Sequence, residues 1–285
     1  MNYFLSTVNF SPDSRDKLSK VVPWMVKEGY SDIEFSSLHP YEDNFHQLIE
    51  YAKEHNVHVL LHNFSPPSKD DLLINLSNPN DIIRKRVNAF IKERIDLTTE
   101  FGMDYYSFHA GFRVDYKTAI HQYSNVLSDQ EAMDFFIDEL RDILDYAEER
   151  KVHIGVENHV CIRENKDNLI LYGDKNWRRL FEEISSTYLH LHLDLGHLKV
   201  TATEHGFNRD DFLRQFGGKV MAMHIHDNTG VKLDCHAPFN ESFWFGEKQM
   251  KLLPHVKYGI FETKTYGDPL LIQQMMHYFQ ELEQS

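Results

Sequence analysis

Histidines and carboxylates follow short apolar runs along most of this chain, and the chemistry such a set could share is the binding of a divalent metal. His62 follows Val57–Leu61, His109 follows Tyr105–Phe108, and Glu157 follows Val152–Val156. Asp194 follows Leu189–Leu193, His224 follows Val220–Met223, and Glu262 follows Tyr258–Phe261. His197 comes three residues after Asp194, and Asp234 with His236 lies in the loop beyond His224. Carboxylates gathered above an apolar core repel one another and take up protons unless a cation neutralises them. Carboxylate oxygens mixed with imidazole nitrogens suit Zn²⁺, Mn²⁺, Fe²⁺ or Co²⁺, whereas the histidine share argues against Ca²⁺ and against an all-oxygen Mg²⁺ cage. Zn²⁺ or Mn²⁺ is the expected cofactor. Glu157, Asp194, His224 and Glu262 form the expected core of the centre, with His62, His109, His197, Asp234 and His236 as further ligands or substrate hydrogen-bonders.

The elements that must position these residues can be read from the alternation of β-rich and amphipathic segments. Eight strands are expected: Tyr3–Ser6, Asp32–Phe35, Val57–Leu61, Tyr105–Phe108, Val152–Val156, Leu189–Leu193, Val220–Met223 and Tyr258–Phe261. Between them lie helical patterns such as Asn80–Phe101, entered through Ser77-Asn78-Pro79, and Gln130–Arg150. Eight βα units predict an α/β fold, a (β/α)8 TIM barrel, as a single domain over residues 1–285. An open doubly wound sheet would advertise a glycine-rich loop after its first strand, and Ser6-Thr7-Val8-Asn9 has no glycine. A barrel carries its active site at the C-terminal strand ends, which is where the metal-binding side chains fall. The connections Asn63–Asn80 and Asn228–Glu247 are long and are expected to carry specificity.

Composition narrows the partners. The 285 residues are 41% hydrophobic, enough for one large core, and the formal net charge of −14 disfavours nucleic acid. The 18 histidines fit a metal protein, because imidazole is a common ligand of transition metals. Cys161 and Cys235 are expected to be free thiols. No apolar run approaches the ~20 residues of a membrane span, and MNYFLSTVNF lacks the features of a signal peptide, so a cytoplasmic chain with no membrane partner is expected.

The strings LLHN at His62, SFHAG at His109, GVENH at Glu157, DLGH at Asp194, MHIHDN at His224, LDCH at Asp234 and IFET at Glu262 come in that order on successive strands. In this the sequence resembles the xylose isomerase-like barrel superfamily, which holds sugar and sugar-phosphate isomerases and epimerases together with the endonuclease IV enzymes. The resemblance spans nearly the whole chain. It implies that Glu157, Asp194, His224 and Glu262 hold one divalent cation, and that Glu157 and Glu262 also move protons. The endonuclease IV enzymes add five ligands for a trinuclear zinc cluster, matched here by His62, His109, His197, Asp234 and His236, so one to three ions are implied. The segment Leu73–Pro79, LINLSNP, is also similar to that family's early region. The chain departs from those DNA enzymes in being strongly acidic: Asn63–Asp71 reads NFSPPSKDD, with one lysine.

The resemblance and the acidic surface together imply an isomerase or epimerase acting on a small sugar or sugar phosphate, with proton transfer through a metal-stabilised enediolate. An endonuclease IV-like zinc phosphoesterase is the alternative, and a non-catalytic sugar- or metal-binding barrel is the second alternative. His197, Glu34 and Lys264 are the expected substrate contacts, Lys264 on condition that its strand continues past Glu262. His190 and His192 are expected to point into the lower barrel as hydrogen-bonded core residues. His226 could line the pocket, whereas Asp227 and Asn228 are expected to shape the loop. Phe239, Phe243, Trp244 and Phe245 are expected either to wall the pocket or to form a contact in a homo-oligomer.

Overall fold

The computed structural model of the chain describes residues 1–11, 16–36, 39–67, 69, 72–117, 122–124, 126–239 and 242–284. Residues 68, 70–71 and 240–241 of the two long connections lie outside the described residues.

Strands β1 (Asn2–Ser6), β2 (Asp32–Phe35), β3 (His58–His62) and β4 (Tyr105–His109) form the first half of the barrel. Strands β7 (His153–Glu157), β8 (Leu189–Asp194), β9 (Val220–Ile225) and β10 (Tyr258–Phe261) form the second. They close in the order β1-β10-β9-β8-β7-β4-β3-β2, every pairing parallel. All eight expected strands are present, so the fold is a (β/α)8 TIM barrel. A short antiparallel hairpin, β5 (Asp115–Lys117) with β6 (Gln122–Ser124), sits in the connection after β4. Three-residue strands are too short for alternation to reveal them in sequence.

The helices are α1 (Leu18–Lys27), α2 (Phe45–Glu54), α3 (Asp81–Glu100), α4 (Asp129–Glu149), α5 (Asp174–Glu183), α6 (Leu195–His205), α7 (Arg209–Phe216), α8 (Glu247–Met250) and α9 (Pro269–Gln284). Their starts follow local chemistry. Asn80 caps α3 by accepting from the Ile82 amide, and Ser128 with Glu131 makes a reciprocal capping box on α4. None of the described helices is long and apolar enough to cross a membrane.

The barrel interior changes character from bottom to top. Phe4, Leu60, Tyr105, Met221, Ala222, Tyr258 and Ile260 pack together as a buried apolar cluster. Above it, the next residues on the same strand faces are polar: Ser6, Glu34, His62, Ser107 and His224 are all buried. Period-two alternation therefore delivers apolar support and chemical groups from one strand face. Between β8 and β9 the register slips at Leu191/His192, and the slip sets Asp194 opposite His224. Without it, alternation would pair Asp194 with Met223, whose side chain faces the helices.

Candidate metal centre

Six strand ends bring the candidate ligands together. His62, His109, Glu157 and Asp194 each close a strand, His224 is the penultimate residue of β9, and Glu262 directly follows β10. His224 stands in the middle: its Nδ1 lies 3.2 Å from Glu262, 3.6 Å from Glu157 and 3.6 Å from Asp194. On the β3–β4 side, His62 Nε2 is 3.3 Å and His109 Nε2 3.9 Å from the same Glu157 oxygen. On the other side, Asp234 Oδ2 is 3.1 Å from His197 Nε2 and 3.2 Å from His236 Nε2. All nine residues singled out from sequence are thus brought together, in three adjoining groups.

The donor set fits divalent metal. Glu157 is buried, yet neither of its oxygens accepts a hydrogen bond of good geometry, and the buried Nδ1 atoms of His224 and His109 also have no partner. An unpaired buried polar atom costs about 1–3 kcal/mol. Four of them in one cluster rival the ~5–15 kcal/mol that holds a whole domain together. Such a cluster calls for a ligand, and imidazole with carboxylate is the chemistry of Zn²⁺ or Mn²⁺. Groups of donors close enough to share an ion include His62/His109/Glu157, Glu157/Asp194/His197 and His197/His226/Asp234/His236.

Electrostatics points the same way. Burial opposes protonation of His224 and His197, but Glu34, Glu262 and Glu157 around the first and Asp194 and Asp234 beside the second raise both well above the ordinary histidine range. His236 is pushed up to about 9 against its burial, by Glu262 and Asp234. The imidazoles take up protons because the carboxylates demand positive charge, which is the role a metal fills. His62, in contrast, is held well below the usual range, first by burial, and stays a neutral ligand.

Several residues take places that sequence did not assign. Glu34 is wholly buried beneath the cluster, its Oε2 2.8 Å from His224 Nε2, so it meets His224 and not open solvent. Both His197 nitrogens are engaged within the protein, Nδ1 with the Asn158 carbonyl at 2.9 Å and Nε2 with Asp234. β10 ends at Phe261, so Lys264 lies beyond the strand; it is partly exposed, and its amide donates to the His236 carbonyl at 2.8 Å. His192 is a buried core residue bonded to the Tyr105 hydroxyl at 2.9 Å, and His190 bonds His153 at 2.9 Å near the barrel floor. Gly155 makes the first of these contacts feasible, because a Cβ there would come within 1.9 Å of the Tyr105 oxygen. His226 is buried against Asp194, and His159 stacks on His109 with centroids 5.4 Å apart. Phe239, Phe243 and Phe245 are buried with Phe279 of α9, while Trp244 is half-buried under Arg209. These phenylalanines are core between the last connection and the last helix. Cys161 and Cys235 are free.

The family described as xylose isomerase-like TIM barrel matches residues 22–282. This chain belongs to it. A D-tagatose 3-epimerase-like protein of known structure superposes with a TM-score of 0.74 at 18% identity, covering 100% of this chain and 97% of that one. The zinc-bound IolI protein superposes at 0.68 with 15% identity, covering 99% and 98%. In sequence the chain is 27% identical over 184 residues to the uncharacterized protein y4fM of Sinorhizobium fredii, covering 65% of this chain and 54% of that protein. The chain thus spans about half the length of that curated relative.

Proposed function

We propose that this xylose isomerase-like barrel is a divalent-metal-dependent isomerase or epimerase of a small sugar or sugar phosphate. The observation that carries the reading is the arrangement of Glu157, Asp194 and Glu262 within 3.6 Å of one His224 nitrogen, with both Glu157 oxygens unpaired. Glu157, Asp194, His224 and Glu262 would hold one ion of Zn²⁺ or Mn²⁺. A divalent cation bound there supplies Lewis acidity to substrate oxygens. Glu157 and Glu262 come from strands separated by β8 and β9 and so approach the site from different sides. Glu157 takes the proton from a carbon next to a carbonyl, and Glu262 returns it to the other face. Glu34 acts through His224 by orienting it, and His197, Asp234 and His236 line the site beside that ion, becoming ligands themselves only where further ions bind. The epimerase-like and zinc-bound proteins that share this fold support the reading by likeness of architecture.

The experiment is to incubate metal-loaded protein with panels of ketoses and aldoses, free and phosphorylated, and to follow interconversion by chromatography. One epimer or isomer pair is expected to equilibrate, and no conversion across the panels would sink the reading. The complete nine-residue set favours a second reading, metal-assisted phosphoester hydrolysis by a multinuclear centre. Metal content separates the two, a single ion supporting the isomerase and three the phosphoesterase.

A further inference from the structure

We propose that His226 is a positioning residue of the metal centre, fixing the carboxylate of Asp194 and tying it to the loop that carries Asp234 and His236. The role rests on Asp194 being a metal ligand, as in the proposed function, and not on the identity of the substrate.

Asp194 has both oxygens committed. Its Oδ1 accepts the His197 amide at 2.6 Å, which caps the start of α6, and its Oδ2 lies 2.9 Å from His226 Nε2. Only an N–H can face a carboxylate at that distance, so His226 presents the donor there. Two bonds from different elements, the start of α6 and the residue after β9, hold the carboxylate with its Oδ2 3.6 Å from His224 Nδ1.

The His226 ring is packed on both its face and its edge, while its buried Nδ1 has no hydrogen-bond partner. His226 stands two residues beyond His224 on the same strand face and has no exposure. Its ring face stacks on His236, with centroids 4.2 Å apart and planes within 16°. Its edge occupies the space over Gly196, where a Cβ would come within 2.1 Å of Cε1. Beyond the ring, paired 2.8 Å bonds between Asp227 and Ala237 close the loop. The Asn228 amide then donates to Asp234 Oδ1 at 3.0 Å and accepts from the Cys235 amide at 2.7 Å. The ring thus links the group around His224 to the group around Asp234, by a hydrogen bond on one side and by stacking on the other. Outer partners of this kind set how well a ligand is presented, and losing one weakens metal binding by about 10–100-fold.

The test is metal affinity, measured on the full chain by competition of Zn²⁺ and Mn²⁺ against a chromophoric chelator. His226→Leu keeps the bulk and removes the donor, and is expected to weaken binding about 10–100-fold. His226→Gln places an N–H near the same point and is expected to restore affinity to within about threefold of the starting protein, a rescue that bulk alone would not give. Gly196→Ala pushes the ring from the other side and is expected to reproduce the loss, which keeps the test available if His226→Leu does not fold. Unchanged affinity in both His226→Leu and Gly196→Ala, or a His226→Gln variant as weak as His226→Leu, overturns the role while leaving the metal enzyme intact. A starting protein that takes up no ion overturns both.

Discussion

The Nε2 of His224 lies 2.8 Å from a carboxylate oxygen of Glu34, and neither side chain is exposed to solvent. When a metal replaces the second proton of His224, the N–H directed to Glu34 leaves the Nδ1 lone pair toward Glu157, Asp194 and Glu262. A carboxylate behind a ligating histidine fixes the tautomer and raises ligand basicity. Glu34→Leu is therefore expected to lower metal affinity and turnover about 10–100-fold, and Glu34→Gln by less, since its amide oxygen still accepts the proton. Chelator competition and kcat on the same samples check this. Equal affinity in Glu34→Leu would show that His224 needs no such partner.

Glu157 and Glu262 are asked both to hold metal and to move protons. Each Gln variant is expected to lose at least about 10²–10⁴-fold in turnover, the range of a single acid–base group. Neither substitution changes side-chain volume or touches the apolar core, so thermal unfolding of the metal-loaded protein is expected to shift little. Steady-state rates beside calorimetry make the comparison, and near-normal turnover in either variant would remove the two-glutamate mechanism.

How much of this was legible in the sequence depends on what a residue's place is determined by. The strands and the nine metal-directed residues were legible because each stands where an apolar run ends, and a barrel turns such positions to one face. Asp194 stands beside His224 through the β8–β9 slip, which leaves no mark in composition. Glu34 was placed at the right strand end but with the wrong neighbour, because its partner comes from β9, 190 residues away. His226 read as a residue that could line the pocket for a like reason: the space it fills is made by Gly196, and no local pattern links the two. The Phe239–Phe245 aromatics read equally as pocket or interface, since an apolar loop does not disclose that Phe279 covers it.

Chelation is expected to abolish turnover and leave the fold in place. The apolar clusters lie around and beneath the strands and do not pass through the ligands, and a barrel of this size stands on its core. Far-UV circular dichroism before and after treatment, with activity restored by Zn²⁺ or Mn²⁺, checks both halves. Full activity in metal-free protein would defeat the proposed function.

Metal-free protein is expected to lose stability between pH 6.5 and about 9. His236 is raised from 6.5 to about 9, so the folded state binds its proton more tightly than the unfolded chain. That contribution is complete below pH 6.5 and disappears as pH rises through about 9, and the raised His197 and His224 act in the same direction. His62 and His192, held low mainly by burial, have the opposite sign but act only below 6.5. Metal-loaded protein should not follow this fall, because metal needs the deprotonated imidazoles and replaces their charge. Melting curves across that window with and without Zn²⁺ test it, and parallel profiles would count against metal at His236.

DNA is where the two enzyme readings part. A duplex-binding enzyme needs many phosphate contacts, and each released counterion makes affinity fall steeply with salt. This chain carries a net charge of −14, and several cations in its loops already have partners: Lys199 with Asp227 at 2.6 Å, Lys69 with Asp43 at 2.9 Å, and Lys232 with Glu164. Metal ions would return positive charge at the pocket floor but not along a duplex track. No binding or cleavage of an abasic-site duplex is therefore expected at physiological salt. In deuterated water, the same metal-loaded protein should place deuterium at a sugar carbon beside a carbonyl, since a proton removed by Glu157 or Glu262 exchanges with solvent before its return. Mass spectrometry of the sugars and gel analysis of the duplex are run in parallel on one preparation. Efficient strand cleavage without deuterium in any sugar would reverse the ranking and make the multinuclear phosphoesterase the function of this centre.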